Sequence, residues 1–245
     1  GTIYGWDISE EVLKVCSDNF KMHQKNFHLQ HHNSIDLHSK DDGIYDYACL
    51  NPPFGSSTVI TDQSILKHYE LGKNKKKQEI GILFMERTIR LLKENGIAFL
   101  IVPNGYLGNS SSNTVQLRQY LLSFRIIAII ELPQNTFSRS GTGVSTSLII
   151  IQKTKKDAPY NIYMKKIDNI GYVLNKKNTP YKYKMIDGDY VLSHGKPVLD
   201  NDLEDCLCEI MDFCAQEKIT ELKSQSGDSP VYNIVNTSEL KSTIL

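Results

Sequence analysis

Uninterrupted apolar runs constrain this chain more than any other feature. Ile97–Val102 reads IAFLIV, Arg125–Leu132 contains IIAII, and Val144–Gln152 contains LIII. A strand with one wet face alternates apolar and polar residues. A strand covered on both faces does not, so these runs require a sheet with helices on each side. Further strands are predicted at residues 2–6 and 44–50. Between them, Ser9 reads as an N-cap, followed by Glu10 and Glu11 and by an apolar side of Val12, Leu13, Cys16 and Phe20. The strongest helix is predicted from about Gln78 to Glu94, on the spacing of Ile80, Leu83, Phe84, Leu91 and Leu92, with Asn95-Gly96 as its stop. A shorter one is predicted near Val115–Leu122. Strands alternate with helices over roughly the first 150 residues, which means an α/β fold with a mostly parallel sheet. The last two strands flank a Gly/Ser-rich loop without a helix, so they are expected to pair antiparallel at one edge.

The rest of the chain is less regular. Residues 56–78 are polar, carry Lys73, Lys75, Lys76 and Lys77, and read as a long loop. Residues 154–190 are rich in Lys, Tyr and Asn and read as a small extension on the sheet's edge. An amphipathic helix is predicted from Asn201 to about Cys214, using Leu203, Leu207, Ile210 and Met211, and residues 223–230 read as a polar linker. The predicted organisation is a core at 1–153, an extension at 154–222 and a linker at 223–245. With 245 residues and 40% hydrophobic content, one large core with an appendage is affordable.

Charge is balanced, 28 Lys+Arg against 28 Asp+Glu. Any surface for a polyanion must therefore come from local patches. No apolar run is long enough to span a bilayer and no basic-then-apolar leader is seen, so a cytoplasmic protein is expected. Cys16, Cys49, Cys206, Cys208 and Cys214 are odd in number and fit no disulfide framework. His23, His28, His31, His32 and His38 cluster without the convergent spacing of a metal site and read as a solvated surface. The opening Gly1–Gly5 reads as a strand near its end, and Ser242–Leu245 stops mid-pattern. Both read as cuts from a longer protein.

Two stretches carry chemistry. Tyr4-Gly5-Trp6-Asp7-Ile8 ends a strand on an acid. In doubly wound sheets such an acid accepts hydrogen bonds from a ribose, with Trp6 and Ile8 placed to flank an adenine; it serves equally as a cap for the next helix. Some forty residues on, Asn51-Pro52-Pro53-Phe54 ends another strand. Paired prolines can continue neither a helix nor a central strand. Both strand ends would face the carboxyl edge, where ligands bind in such sheets.

Here the sequence resembles S-adenosylmethionine-dependent amino methyltransferases, in particular the N6-adenine DNA methyltransferases and, among those, the modification subunits of type I restriction systems and their fused relatives. The resemblance covers most of residues 1–153: Tyr4–Ile8, Asn51–Phe54, "FMERTIRLLKENG" (84–96), "IAFLIVPNGYLG" (97–108) and "IIELPQNTFSRSGTGVSTSLIIIQK" (129–153). It implies a Rossmann-like class I methyltransferase fold, S-adenosylmethionine as methyl donor and DNA as partner. It implies neither a metal nor a covalent enzyme intermediate. In its terms Asn51 and Pro52 supply two oxygens to an adenine amine, Pro53 stiffens the turn, and Phe54 lies on the extruded base with Phe137 of "QNTF" as a second stacking surface. Asp7, Trp6 and Ile8 bind the cofactor, and Asn33 or Asp36 meets its adenine, Asn33 being slightly preferred. On their own residues, Lys75 and Lys76 within Lys73–Lys77 read equally as contacts to DNA phosphate or as a disordered charged loop. The family's first strand and glycine-rich loop would precede Gly1. This stretch alone is therefore expected to bind the cofactor weakly or not at all, and to be inactive. Residues 154–245 resemble the segment leading to a target-recognition region, so a fused recognition domain or a specificity subunit, and a restriction subunit, are expected partners. Two alternatives remain: an amino methyltransferase acting on protein glutamine or on an RNA base, and a methyltransferase-like scaffold without catalysis.

Overall fold

The computed structural model describes residues 1–36, 39–54, 58–138, 143–174, 180–219 and 233–236. The chain begins with β1 (Thr2–Asp7), α1 (Glu10–Met22) and β2 (Asn26–His31). β1 and β2 pair in parallel, from Thr2 against Asn26 to Asp7 against His31. The Ser9 hydroxyl caps α1 by accepting from Val12 N, which is the predicted N-terminus. This pair is a sheet of its own. Among the described residues β1 has no hydrogen-bonded neighbour on its other side, although the Tyr45 ring of β3 (Tyr45–Leu50) meets both Tyr4 and Trp6, at 5.3 and 5.6 Å.

The main sheet adds β4 (Leu92–Pro103), β5 (Phe124–Glu131), β6 (Thr146–Lys155), β7 (Asn161–Lys166) and β8 (Asn233–Asn236), in the order β8-β7-β5-β6-β4-β3. β3 runs parallel to β4 and β5 parallel to β7, while β6 is antiparallel to both its neighbours. The sheet is therefore mixed. β5 and β6 form the expected antiparallel hairpin, and β7 and β8 add two strands outside it. Successive residues of the apolar runs serve opposite faces, which explains the lack of polar alternation. Ile149 and Ile151 join α2 (Ile80–Leu91) and α3 (Ser112–Leu122) on one side. Ile150 joins Ile210, Phe213 and Cys214 of α4 (Leu203–Gln216) on the other. No helix among the described residues is long and apolar enough to cross a membrane.

Two sequence expectations are corrected. First, α2 ends at Leu91, before Asn95-Gly96. Its last carbonyls are taken from outside the helix: Gly43 N donates to Arg90 O, Ile44 N to Leu91 O, and the Lys153 ammonium to Arg90 O and Leu92 O. Those partners are distant in sequence and invisible to local spacing. Asn95 instead takes φ 65° within β4. Gly96 follows because a Cβ there would lie 3.0 Å from Asp46 O.

Second, the described part of residues 56–78 is a packed segment and not a long loop. Val59–Ile60 pairs antiparallel with Gln78–Glu79, and Asp62 caps a short helix at Gln63–Leu66. Leu66 and Tyr69 are fully buried against Ile35 and Leu83. The Glu86 carboxylate of α2 accepts from Glu70 N and Leu71 N at 2.7 and 2.8 Å, and Gln78 Nε2 donates to Leu71 O. A polar composition hid this because buried side chains, rather than a regular ladder, satisfy the segment's backbone.

Candidate active site

β3 ends at Leu50 and the Asn51–Phe54 turn follows at once. The proline rings fix the backbone here. Pro52 is buried, Pro53 exposed and Phe54 half-buried. The Asn51 side chain is exposed and makes no hydrogen bond to a described residue, so both its amide atoms are open to a ligand. The Phe54 ring meets Phe137, with centroids 6.2 Å apart and planes at 70°. Phe137 also packs against the core layer beneath α4. The sequence-predicted aromatic pair is thus brought together, edge to face. A base between two parallel rings needs about 7 Å, two carbon contact distances. The rings must therefore part and turn to admit one.

Asp7 ends β1. Its Oδ1 accepts from Ser9 N at 2.8 Å, so it does open the next helix, while no described residue engages Oδ2. Trp6 is half-buried and donates Nε1–H to Gln30 Oε1; Ile8 is 72% exposed. The turn after β2 folds back on this strand end. His32 N donates to Asp7 O, and the Ser34 hydroxyl to Trp6 O. Within the turn, Asn33 Oδ1 accepts from Ile35 N and Asn33 Nδ2 donates to Asp36 Oδ1. Asn33 is spent on shaping the turn, and Asp36 retains a free oxygen.

β1 and β2 are parallel and in register, so Asp7 and the 32–36 turn share an edge. The Tyr69 hydroxyl, from the segment following Asn51–Phe54, reaches that turn at Ile35 O, 2.6 Å away. Tyr69 thus ties the segment that follows Asn51–Phe54 to the turn after β2.

The lysines divide. Lys75 Nζ donates to Asn113 Oδ1 at 2.8 Å and burial lowers its pKa, whereas Lys73, Lys76 and Lys77 are exposed. Gln63 Nε2 holds the carbonyls of Lys75 and Lys76, fixing the backbone of the stretch. The histidines have separate tasks: His23 caps α1, His28 stacks on Tyr4, and His31 bonds Ile8 O. His38 lies outside the described residues. No group of His, Cys, Asp or Glu among the described residues has metal-holding geometry. Sequence reasoning missed Tyr69 and Glu86. The only signal for either was a large aromatic inside a polar stretch and an acid on the inner side of an apolar helix. It also missed Asn104, at the end of β4, whose Oδ1 accepts from Ser147 Oγ at 2.8 Å.

A model of the family described as N-6 DNA Methylase matches residues 1–241. The chain belongs to this family. The chain is 24% identical over 155 residues to the type I restriction enzyme EcoEI methylase subunit of Escherichia coli, covering 62% of this chain and 30% of that one. It is 22% identical over 205 residues to the MpnII methylase subunit of Mycoplasma pneumoniae, covering 75% and 36%. The chain thus spans about a third of the length of these relatives. Among solved structures, the type I restriction-modification methyltransferase subunit of Streptococcus thermophilus superposes with a TM-score of 0.65 at 17% identity, over 98% of this chain and 46% of that one. A class I S-adenosylmethionine-dependent methyltransferase of Listeria monocytogenes gives 0.56 at 20% identity, over 72% and 51%. The fold is that of the class I methyltransferases.

Proposed function

We propose that the full-length protein transfers a methyl group from S-adenosylmethionine to the N6 amine of an adenine in DNA, within a restriction-modification system. The observation that carries this reading is the Asn51–Phe54 turn: a proline-stiffened strand end with an open amide and an aromatic pair beside it, in a chain that also ends β1 on an acid. The donor set fits the cofactor. Asp7 Oδ2 is a free acceptor for ribose hydroxyls, Trp6 and Ile8 offer apolar faces to a purine, and Asp36, now preferred to Asn33, has an oxygen for an exocyclic amine. When bound, the cofactor supplies an electrophilic methyl on a sulfonium that becomes neutral on transfer.

The chain's own part is to make a poor nucleophile competent. The lone pair of an adenine amine is delocalised into the ring. Asn51 Oδ1 and the Pro52 carbonyl, each accepting one amine hydrogen, favour a pyramidal nitrogen with a localised pair aimed in line at the methyl group. Because the prolines hold both acceptors in advance, little reorganisation is needed in the transition state. The methylated nitrogen then releases a proton to water. A base inside a duplex cannot reach this turn, so it must be flipped out. Phe54 and Phe137 then stack on it, replacing the neighbours it lost. Lys73, Lys76 and Lys77 lie exposed after the turn and are suited to phosphate, which positions DNA without reading its sequence. Sequence choice is assigned to a recognition domain or specificity subunit, with a restriction subunit as a further partner.

The direct test is incubation of the full-length protein and its specificity partner with duplex DNA and labelled cofactor. N6-methyladenine is the expected product; label on cytosine, RNA or protein glutamine would sink the reading. Phe137→Ala is expected to weaken binding of DNA carrying an extruded adenine by about 5- to 150-fold, the range of one lost base-aromatic stack, with cofactor affinity unchanged in calorimetry. Equal loss of both would make Phe137 a packing residue only. Residues 1–245 alone are expected to show little or no cofactor binding. α1 buries none of its side chains, and β1 leaves the edge toward β3 without a ladder, so the cofactor edge is under-supported.

A further inference from the structure

We propose that Tyr69 is a positioning residue: by donating its hydroxyl to Ile35 O it fixes the Asn33–Asp36 turn in the conformation that receives the cofactor's adenine. This rests on the methyltransferase reading above and assigns a role that no motif of the family resemblance supplied.

The turn has little of its own to hold it. Its internal bonds are Ile35 N to Asn33 Oδ1, Asp36 N to Asn33 O, and the longer Asn33 Nδ2 to Asp36 Oδ1 at 3.4 Å. Toward β1 it is tied by Ser34 to Trp6 O. Its far side is Ile35, 1% exposed, packed with Leu66, Tyr69 and Leu83. Tyr69 is itself 1% exposed, and burial raises its pKa, so the hydroxyl stays a donor throughout the physiological range. Ile35 O is a buried acceptor, and a buried carbonyl without a donor is costly, which makes this bond a strong restraint on where the turn sits.

Tyr69 is in turn fixed from α2. Glu86 clamps the next two backbone amides, Glu70 N and Leu71 N, and Arg90 donates to His68 O on the other side. The same segment begins directly after Asn51–Phe54. The stretch of chain that follows the Asn51–Phe54 turn therefore braces the Asn33–Asp36 turn through Tyr69.

The test is Tyr69→Phe in the full-length protein, which keeps the ring and removes only the hydroxyl. Cofactor Kd by calorimetry and cofactor KM are expected to rise about three- to tenfold, the scale of one hydrogen bond. At saturating cofactor, kcat is expected to stay at the wild-type value, as is the KM for DNA. Thermal unfolding is measured alongside. A lowered Tm with unchanged cofactor Kd would overturn the proposal and leave Tyr69 a packing residue; so would a fall in kcat with cofactor KM unchanged. Failure of the wild-type protein to bind S-adenosylmethionine would instead overturn the methyltransferase reading itself, so the two failures are distinguishable.

Discussion

Asn51→Ala in the full-length protein is expected to lower kcat for adenine methylation by about 10²–10³-fold, the usual loss when one preorganised polar group facing the transition state is removed. Cofactor affinity is expected to stay within about threefold, because the role proposed for Asn51 is toward the adenine amine and not toward the cofactor. The Asn51 side chain is exposed and unbonded to any described residue, so alanine breaks no internal contact and the fold is expected to survive intact. Asn51→Gln separates geometry from chemistry. It keeps the amide but pushes its oxygen about 1 Å or more out of place, and displacements of that size cost roughly 10²-fold. Rates for both variants come from single-turnover transfer of labelled methyl to duplex DNA, with calorimetry for the cofactor. Wild-type turnover by Asn51→Ala would remove the two-acceptor mechanism, since Pro52 O alone cannot engage both hydrogens.

The parts of this fold legible in the sequence were those whose cause is local. IAFLIV and LIII are buried on both faces because neighbouring residues feed opposite layers, and that leaves a mark in composition. Ser9 caps α1 through an atom three residues from its partner. The Asn51–Phe54 turn is visible because proline acts on its own backbone. What escaped were elements whose stability comes from afar. The segment before α2 reads as a loop because its apolar residues, Leu66, Tyr69 and Leu71 among them, have no period. Leu66 and Tyr69 are buried with Ile35, from before the Asn51–Phe54 turn, and with Leu83, from after it, while Leu71 joins the layer of α2 and α3. β2 was missed because NFHLQH has no apolar run to announce it; it is a strand through its ladder to β1. Near Asn51–Phe54 and Asp7, the motif residues themselves were legible, and buried groups such as Tyr69 and Glu86 were not. Residue type slightly prefers Asn33 over Asp36, and it carries no trace of the bonds by which Asn33 shapes its own turn.

The largest stability effect is expected at one of those hidden groups. Glu86→Ala should destabilise the protein by about 3 kcal/mol, since it strips the buried Leu71 N and the part-buried Glu70 N of the charged acceptor they share. For a chain of this size that corresponds to a fall in Tm of about 6–12 °C. Glu86→Gln keeps one acceptor oxygen and is expected to lose about half as much. The pH dependence distinguishes the carboxylate from mere packing. Burial raises the Glu86 pKa, against the opposing pull of the two amides and Arg90. The folded state therefore holds this proton more tightly than the unfolded chain. The group's contribution is fully present in acid, below the unfolded pKa, and is lost as pH rises through the folded value. Wild-type stability, measured by urea titration from about pH 4.5 to 7, should carry this decline, and Glu86→Gln should flatten it. An identical pH slope in the variant would show that the two amides and Arg90 offset the burial of the Glu86 carboxylate in full, leaving it no net preference for its proton in the folded state.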